Sequence, residues 1–284
     1  MTTLIEKLQV RLNMVWWIAK ATICHFRKDH CTETASALTY VTLLSIVPVA
    51  TVVFVIVQDI PMMQAGLLRL ENVLISAFAP DVGEDVIVYL HRFVERSNQL
   101  THWSVIILLI TVFWAFSTIE KTFNRIWNVP QSRRTWIRWL TYFLLIIFGP
   151  LILVFGVSMT IMLSSQYMAF PFTTIFSEHQ MFYIVFLFMI SFVVFMCLYR
   201  WIPNQRVAWG FAVCGGIIAA ILFELSKRIF TIYLAWFPTH EVIYGAVALL
   251  PILMIWLHLV WSIILLGAEV CFSCEEYNKK HINI

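Results

Sequence analysis

The chain has 284 residues, of which 61% are hydrophobic, 15% are aromatic and only 12% are charged, and its formal net charge at pH 7 is +3. An average globular protein has about 25% charged residues, so this composition excludes a disordered chain and a nucleic-acid-binding domain with a basic face. It also argues against a soluble enzyme, because so little polar surface would not cover a globule of this size. The class that fits is a polytopic membrane protein that binds no nucleic acid.

Residues 1–34 contain no apolar run that is long enough to cross a bilayer. Leu4, Leu8, Leu12 and Val15 recur at helical spacing, and basic residues lie between them. This pattern is typical of an amphipathic helix on a membrane surface. We therefore predict a cytoplasmic amphipathic segment over 1–34, and not a signal peptide, since no apolar core is followed by a small-residue cleavage site.

A transmembrane helix needs about 20 mostly apolar residues to cross a hydrocarbon core ~30 Å thick. Six stretches of the chain qualify, which predicts an all-α bundle of six transmembrane helices within residues 35–275. In chain order, the predicted spans are Ala35–Val57, Trp103–Ile119, Trp139–Leu163, Met181–Tyr199, Val207–Phe223 and Tyr244–Val270.

The connection over residues 59–101 is the longest segment between predicted spans. Leucines at helical spacing precede Pro80, and Asp81 with Glu84 has the spacing of a capping box that starts a second helix. We predict a helical hairpin here.

The distribution of Lys and Arg residues predicts the orientation. They concentrate in the N-terminal segment, in the second-to-third and fourth-to-fifth connections, and after the last span. Because basic loops stay in the cytoplasm, we expect both termini inside, a cytoplasmic tail over 276–284 and a periplasmic hairpin.

Several sequence motifs, in order along the chain, resemble the YihY / BrkB family. They are Thr34–Pro48, Phe123–Trp127, Arg200–Asn204, Leu222–Lys227, and a closing series of Tyr244–Ala248, Pro251–Leu253 and Leu266–Glu269. The resemblance covers about residues 30 to 275. It implies an integral protein of the bacterial inner membrane with about six spans, and it supplies no agreed substrate and no catalytic residues.

Members of the family have also been labelled ribonuclease BN, and the residues of this chain do not support that activity. A zinc-dependent nuclease of the metallo-β-lactamase kind needs a His-x-His-x-Asp-His motif to surround two metal ions. None of the eight histidines belongs to such a motif. We therefore expect no nuclease activity.

The six cysteines allow two interpretations. Cys197 and Cys214 fall in or near predicted spans, where cysteine serves as a small apolar residue. Cys24 and Cys31, each beside a histidine, and the Cys271-x-x-Cys274 pair provide ligand types that zinc accepts. Their spacing is poor for a zinc site, so we expect unligated cysteines, no metal and no cofactor.

Ionisable residues within a predicted span are candidates for function. Glu224, Lys227, Arg228 and Thr231 share one face of the fifth helix, and Glu224 and Arg228 have the spacing of an ion pair. This face can hold an anionic headgroup or relay a proton. Alternatively, it lies at the outer interface as a structural pair, because the 17 apolar residues before it extend about 25 Å and nearly cross the core.

Two further sets of polar residues are candidates. His258 lies near the middle of the sixth span and either carries a proton or forms a structural hydrogen bond between helices. Glu120, Asn124, Arg125 and Glu269 form a candidate polar cluster at the cytoplasmic ends of the second and sixth spans. In that cluster, Glu269 is expected to pair with Arg125 or Arg206, as an anchor or as part of a site.

Three predicted spans contain an internal proline, at Pro48, Pro150 and Pro251. Each removes one helical hydrogen bond and frees the carbonyl group four residues earlier. Broken helices line the substrate sites of many transporters, although a proline kink also occurs for shape alone.

These features leave three hypotheses for the function. The first is a transporter or flippase-like protein for a lipid-related or amphiphilic substrate, with membrane lipids as its partners. The second is a scaffolding membrane protein that organises partners through the periplasmic hairpin and transports nothing. The third is a membrane enzyme, for which the sequence offers no nucleophile–base pair.

Overall fold

A computed structural model describes residues 2–58, 102–129, 178–236 and 249–281 of the chain. Within these ranges all regular secondary structure is α-helical. In chain order the helices are α1 (Thr2–Lys28), α2 (Cys31–Gln58), α3 (His102–Ile126), α4 (Glu178–Trp201), α5 (Trp209–Trp236) and α6 (Leu249–His281). The all-α prediction is confirmed for the described residues.

The helices extend beyond the apolar stretches that predicted them. The first two predicted spans lie inside α2 and α3, the fourth lies inside α4, and the fifth and sixth fall largely on α5 and α6. The predicted span Trp139–Leu163 and the hairpin over 59–101 lie outside the described residues. The number of spans, the orientation and the periplasmic hairpin therefore stay predictions.

Two of the described helices are long and apolar enough to cross a membrane. These segments are Trp209–Tyr233 of α5 and Leu250–Lys280 of α6. The apolar part of α4, Val185–Trp201, is shorter. Helix α5 continues past the predicted span end at Phe223 to Trp236, as expected from the helical spacing of Glu224, Lys227, Arg228 and Thr231, because Leu, Ile, Glu and Lys are all good or adequate helix formers.

Glycines allow α5 and α6 to pack closely. A Cβ atom at Gly215 would lie 2.5 Å from the carbonyl oxygen of Gly267, and a Cβ at Gly267 would lie 2.2 Å from Oη of Tyr199. Small residues let helix backbones approach in this way in membrane proteins. Tyr199 is fully buried, and its hydroxyl donates a hydrogen bond of 3.0 Å to the carbonyl of Ile264.

The chain divides into two compact units. The first contains Met1–Val41, Thr118–Ser132 and Phe188–Ile284. In its core the ring of Phe123 lies 6.3 Å from Trp127 and 6.4 Å from Tyr199, between centroids. The second unit contains Thr42–Ser117 and Arg133–Leu187. In its described part, the side chains of Ser45, Val112, Ala115 and Ser117 are buried.

Helix α1 packs along the end of α6. Trp17 contacts Tyr277 with a ring centroid distance of 5.3 Å, and His25 contacts Phe272 at 5.4 Å. The predicted apolar stripe lies elsewhere on the helix, since Leu12 and Val15 are exposed. An exposed apolar stripe on a helix that is fixed by its other side suits a membrane surface, which stays a prediction for this segment.

Candidate functional site

Glu224, on the polar face of α5, forms an ion pair within its own helix and accepts a hydrogen bond from α4. Oε1 of Glu224 accepts from Nζ of Lys227 at 2.6 Å and from the hydroxyl of Ser191 at 3.1 Å. Lys227 Nζ also lies 5.1 Å from the ring centroid of Phe223, within the range of a cation–π interaction. The carboxylate therefore has two polar neighbours among the described residues, the ammonium group of Lys227 and the hydroxyl of Ser191.

The ion pair of Glu224 differs from the predicted one. The sequence paired Glu224 with Arg228, whereas among the described residues its partner is Lys227, at i+3. The hydrogen bond from Ser191 holds the carboxylate on the side that faces α4, and Lys227 reaches it there. Arg228 is exposed, so its guanidinium remains available on the same helix.

His258 belongs to a different pair of helices. Its Nδ1 atom lies 3.3 Å from the hydroxyl of Ser36 on α2, and the hydroxyl of Ser262 donates to its backbone carbonyl at 2.8 Å. The hydrogen bond to Ser36 matches the structural alternative that the sequence left open. Glu224 and His258 thus take part in separate helix contacts, α4 with α5 and α2 with α6.

Glu269 is fully buried where α6 meets the turn between α1 and α2. Its Oε1 atom accepts a hydrogen bond of 3.4 Å from the thiol of Cys31, while its Oε2 atom is buried without a hydrogen-bond partner. The expected partner was Arg125 or Arg206, and that expectation is wrong for the described contacts. A left-handed residue in the turn, His30 with φ of 50°, immediately precedes Cys31, which contacts Glu269.

The thiol of Cys31 is a donor because it stays protonated. Cys31 precedes the first predicted span and is 2% exposed. Burial, followed by the negative charge of Glu269, raises the pKa of this thiol well above its ordinary value, and Arg125 acts in the opposite direction. The protonated thiol therefore donates a hydrogen bond to the carboxylate, whereas a thiolate would repel it.

The rest of the predicted cytoplasmic cluster lies on α3. Glu120 and Asn124 are both buried, as expected for residues on one helix face, while Arg125 is exposed. Oδ1 of Asn124 accepts a hydrogen bond of 2.8 Å from the backbone N–H of Asn204, in the connection between α4 and α5. This side chain therefore links α3 to that connection.

Sequence reasoning missed a second carboxylate on α6, at Glu275. Its Oε2 accepts from the indole N–H of Trp127 at 3.3 Å, and its Oε1 accepts from Gln205 at 3.0 Å and from Lys279 at 2.8 Å. This network joins the end of α3, the α4–α5 connection and α6. Only the i, i+4 spacing of Glu275 and Lys279 is visible in the sequence, and that spacing is common on exposed helices.

Two of the three candidate helix-breaking prolines lie within the described residues. Pro48 lies inside α2 and is buried. Pro251 is the third residue of α6 as described, where a missing N–H group is tolerated. Pro150, and Val247 whose carbonyl Pro251 was expected to free, lie outside the described residues.

Comparison with known proteins decides the family. A model of the family described as virulence factor BrkB matches residues 22–283. The chain belongs to this family. The resemblance inferred from the sequence motifs is confirmed.

Curated relatives of this BrkB-family chain are called UPF0761 membrane proteins. One from Idiomarina loihiensis is 37% identical over 89% of this chain and 88% of its own length. One from Alcanivorax borkumensis is 32% identical over 92% of this chain and 61% of its own length, and one from Legionella pneumophila is 34% identical over 97% and 66%. The chain thus spans about three fifths to two thirds of the length of the latter two. No solved structure matches it.

These findings place the chain in a family of membrane proteins, in agreement with the two long apolar helices. The names of the relatives state no substrate and no reaction. Among the residues that the structure describes, no group of three or more His, Cys, Asp or Glu side chains is arranged to hold a metal ion. Cys24 is exposed, and Cys31 is engaged with Glu269.

Proposed function

We propose that this BrkB-family chain is a multi-pass protein of the bacterial inner membrane that moves a lipid-related or amphiphilic anionic substrate. The proposal includes six spans with both termini in the cytoplasm, as the distribution of basic residues predicts. The observation that carries it is the Glu224–Lys227 ion pair in the middle of the apolar helix α5.

An ion pair at this position costs free energy in a membrane. Glu224 lies about 22 Å along α5 from Trp209, at 1.5 Å per residue. With Trp209 at the cytoplasmic surface, the pair falls in the outer part of a core ~30 Å thick. Ionisable groups are rare there and generally mark a substrate or ion pathway.

The exposure and charge of the face suit an anion. The side chains of Lys227 and Glu224 are 36% and 26% exposed, so a ligand can reach them. Two cations, Lys227 and Arg228, outnumber the one carboxylate. A lipid phosphate can accept hydrogen bonds from both cations, while Glu224 and Ser191 fix the position of Lys227.

A second candidate is a scaffolding protein without transport activity. The network around Glu275 favours it, because donors from three parts of the first unit satisfy that carboxylate within the chain. Such internally satisfied networks make a bundle rigid. A rigid bundle serves a scaffold at least as well as a transporter.

Reconstitution separates the two candidates. Purified protein is incorporated into liposomes of phosphatidylethanolamine and phosphatidylglycerol that contain a fluorescent phosphatidylglycerol, and leaflet exchange is followed by chemical quenching of the outer leaflet. We expect wild-type protein to accelerate exchange. Glu224→Gln and Lys227→Met should each slow it by about ten- to hundredfold, since one charge-assisted hydrogen bond is worth ~1.5–3 kcal/mol.

Lys280→Met is the matched control. Lys280 also forms an ion pair with a glutamate on its own helix, Glu276, at 2.8 Å, but near the end of α6. The control should exchange lipid at the wild-type rate. Equal exchange with and without protein would defeat the transport proposal and favour the scaffold. If the Glu224 and Lys227 variants exchanged lipid at the wild-type rate, this face of α5 would not be part of the substrate pathway.

A further inference from the structure

The carboxyl group of Glu269 lies in a part of the core that offers it few polar partners. Glu269 is fully buried, and so are Leu265, one helical turn before it on α6, and Ala35, one turn after Cys31 on α2. The thiol of Cys31 donates a hydrogen bond to Oε1, whereas Oε2 has no hydrogen-bond partner. Buried polar atoms nearly always have a partner. The free oxygen of Glu269 is therefore a place where a ligand can bind.

Glu275, further along the same helix, shows how an ionised carboxylate is held in this protein. It accepts hydrogen bonds from Trp127 and Gln205, and it pairs with the ammonium group of Lys279 at 2.8 Å. Glu269 has no Lys, Arg or His partner among the residues that the structure describes, and a thiol is a weak donor. Because an unpaired charge costs far more free energy in a protein interior than a neutral polar group does, the surroundings of Glu269 suit the neutral acid.

The charged and titratable groups around this part of α6 supply no spare positive charge. They are His25 on α1, Asp29 in the turn, Cys31 on α2, Arg125 on α3, Tyr199 on α4, and Cys214 beside Gly215 on α5. His25 lies 3.6 Å from its own partner, Glu276. Asp29 raises the pKa of the Cys31 thiol, as Glu269 does, and the exposed Arg125 lowers it. The positive charge of this arginine is thus already opposed by one carboxylate.

We propose that Glu269 is a proton-binding site, which holds a proton on Oε2 at neutral pH and exchanges it with water through the turn between α1 and α2. Cys31, the group in contact with Glu269, is the first residue of α2 and directly follows the exposed residue His30. Ionisable side chains within an apolar helix generally mark a path for ions or protons, and α6 is such a helix.

The ligand class is the proton and not a metal ion. Within the described part of the chain, no three or more His, Cys, Asp or Glu side chains are grouped to hold a metal, whereas a proton needs only one free oxygen. The assignment does not depend on the proposed transport, because the site lies where α2 meets α6 and not on the polar face of α5.

The test is infrared spectroscopy of the full chain, purified in detergent at neutral pH. The carbonyl stretch of a protonated carboxylic acid is separate from the stretches of a carboxylate. We expect the wild type to show a protonated-acid band that is lost in Glu269→Gln. The band should shift in heavy water as deuterium replaces the exchangeable proton. Alkaline pH should remove the band, and a return to neutral pH should restore it.

Two further variants make the result specific. Glu275→Gln is the matched control, because it removes an ion-paired carboxylate from the same helix and should leave the band unchanged. Glu269→Asp keeps an acid at the site and should shift the band without abolishing it, so the assignment does not rest on the glutamine variant alone. Size-exclusion profiles report whether each variant folds.

Three results would overturn the proposal. The first is a wild-type spectrum without a protonated-acid band at neutral pH, and the second is a band that persists in folded Glu269→Gln protein. The third is a band that does not shift in heavy water, since such an acid would not exchange its proton with the solvent.

Discussion

The close packing at Gly267 predicts a large effect of adding one methyl group. In Gly267→Ala the new Cβ atom would lie 2.2 Å from Oη of Tyr199, 2.9 Å from its Cζ and 2.8 Å from the Cβ of Ala219. Real Cβ atoms do not approach other atoms this closely, so Tyr199 must move. Tyr199 is fully buried, and moving it breaks the hydrogen bond from its hydroxyl to the carbonyl of Ile264.

The magnitude follows from three contributions. Overpacking of a close-packed core costs about 1–3 kcal/mol, and the lost hydrogen bond costs about 1 kcal/mol more. Alanine regains up to about 1 kcal/mol because glycine is a poor helix former. We therefore expect Gly267→Ala to lower the free energy of unfolding by about 1–3 kcal/mol.

The assay is unfolding in mixed micelles by titration with sodium dodecyl sulfate, followed by tryptophan fluorescence. Gly210→Ala is the matched control, because a Cβ atom at Gly210, near the start of α5, would have no atom within 4 Å. That variant should be as stable as the wild type or slightly more stable. Tyr199→Phe removes the atom nearest to the new methyl group, so Gly267→Ala should cost less in that background.

Two results would refute the reasoning. If Gly267→Ala were as stable as Gly210→Ala, α5 and α6 would not be in close contact at this level. If Gly267→Ala cost the same with Tyr199 as with phenylalanine at that position, the coupling would be absent, and the tyrosine hydroxyl would not be the group that the methyl displaces.

The other predictions concern the turn between α1 and α2 and the α3 contact. Because burial and Glu269 raise the pKa of Cys31, little thiolate forms there near pH 8, and a maleimide should label the exposed Cys24 first. Equal labelling rates, measured by peptide mass spectrometry, would contradict the burial. Asn124→Ala should lower stability by about 1 kcal/mol through loss of the acceptor for the N–H of Asn204. Chemical unfolding of this variant checks the prediction, and a stability equal to that of the wild type would exclude the hydrogen bond.

The sequence predicted which segments are helical better than it predicted which side chains meet. Apolar runs of the right length fall on α2, α3, α4, α5 and α6, because a span must be apolar over its whole length. Helix α5 extends beyond its apolar run, since a polar face interrupts the hydropathy without interrupting the backbone hydrogen bonds. For the sites, helical periodicity put Glu224 on one face with Lys227 and Glu120 on one face with Asn124, because such spacing is local.

The sequence did not predict which side chains on different helices form hydrogen bonds. The hydrogen bonds of Glu224 with Ser191, His258 with Ser36, and Glu269 with Cys31 each join residues that are far apart in the chain. Opposite charge suggested arginine partners for Glu224 and Glu269, whereas the packing brings Lys227 and Ser191 to Glu224 and the thiol of Cys31 to Glu269.

The amino-acid sequence by itself determined the class of this protein, a helical chain of a membrane protein family, because hydrophobic length and family motifs are properties of short segments. The tertiary structure decided the chemistry. A hydroxyl and a lysine hold Glu224, and a thiol donates to Glu269. These contacts depend on the rotation and depth at which the helices pack, and local periodicity does not specify either.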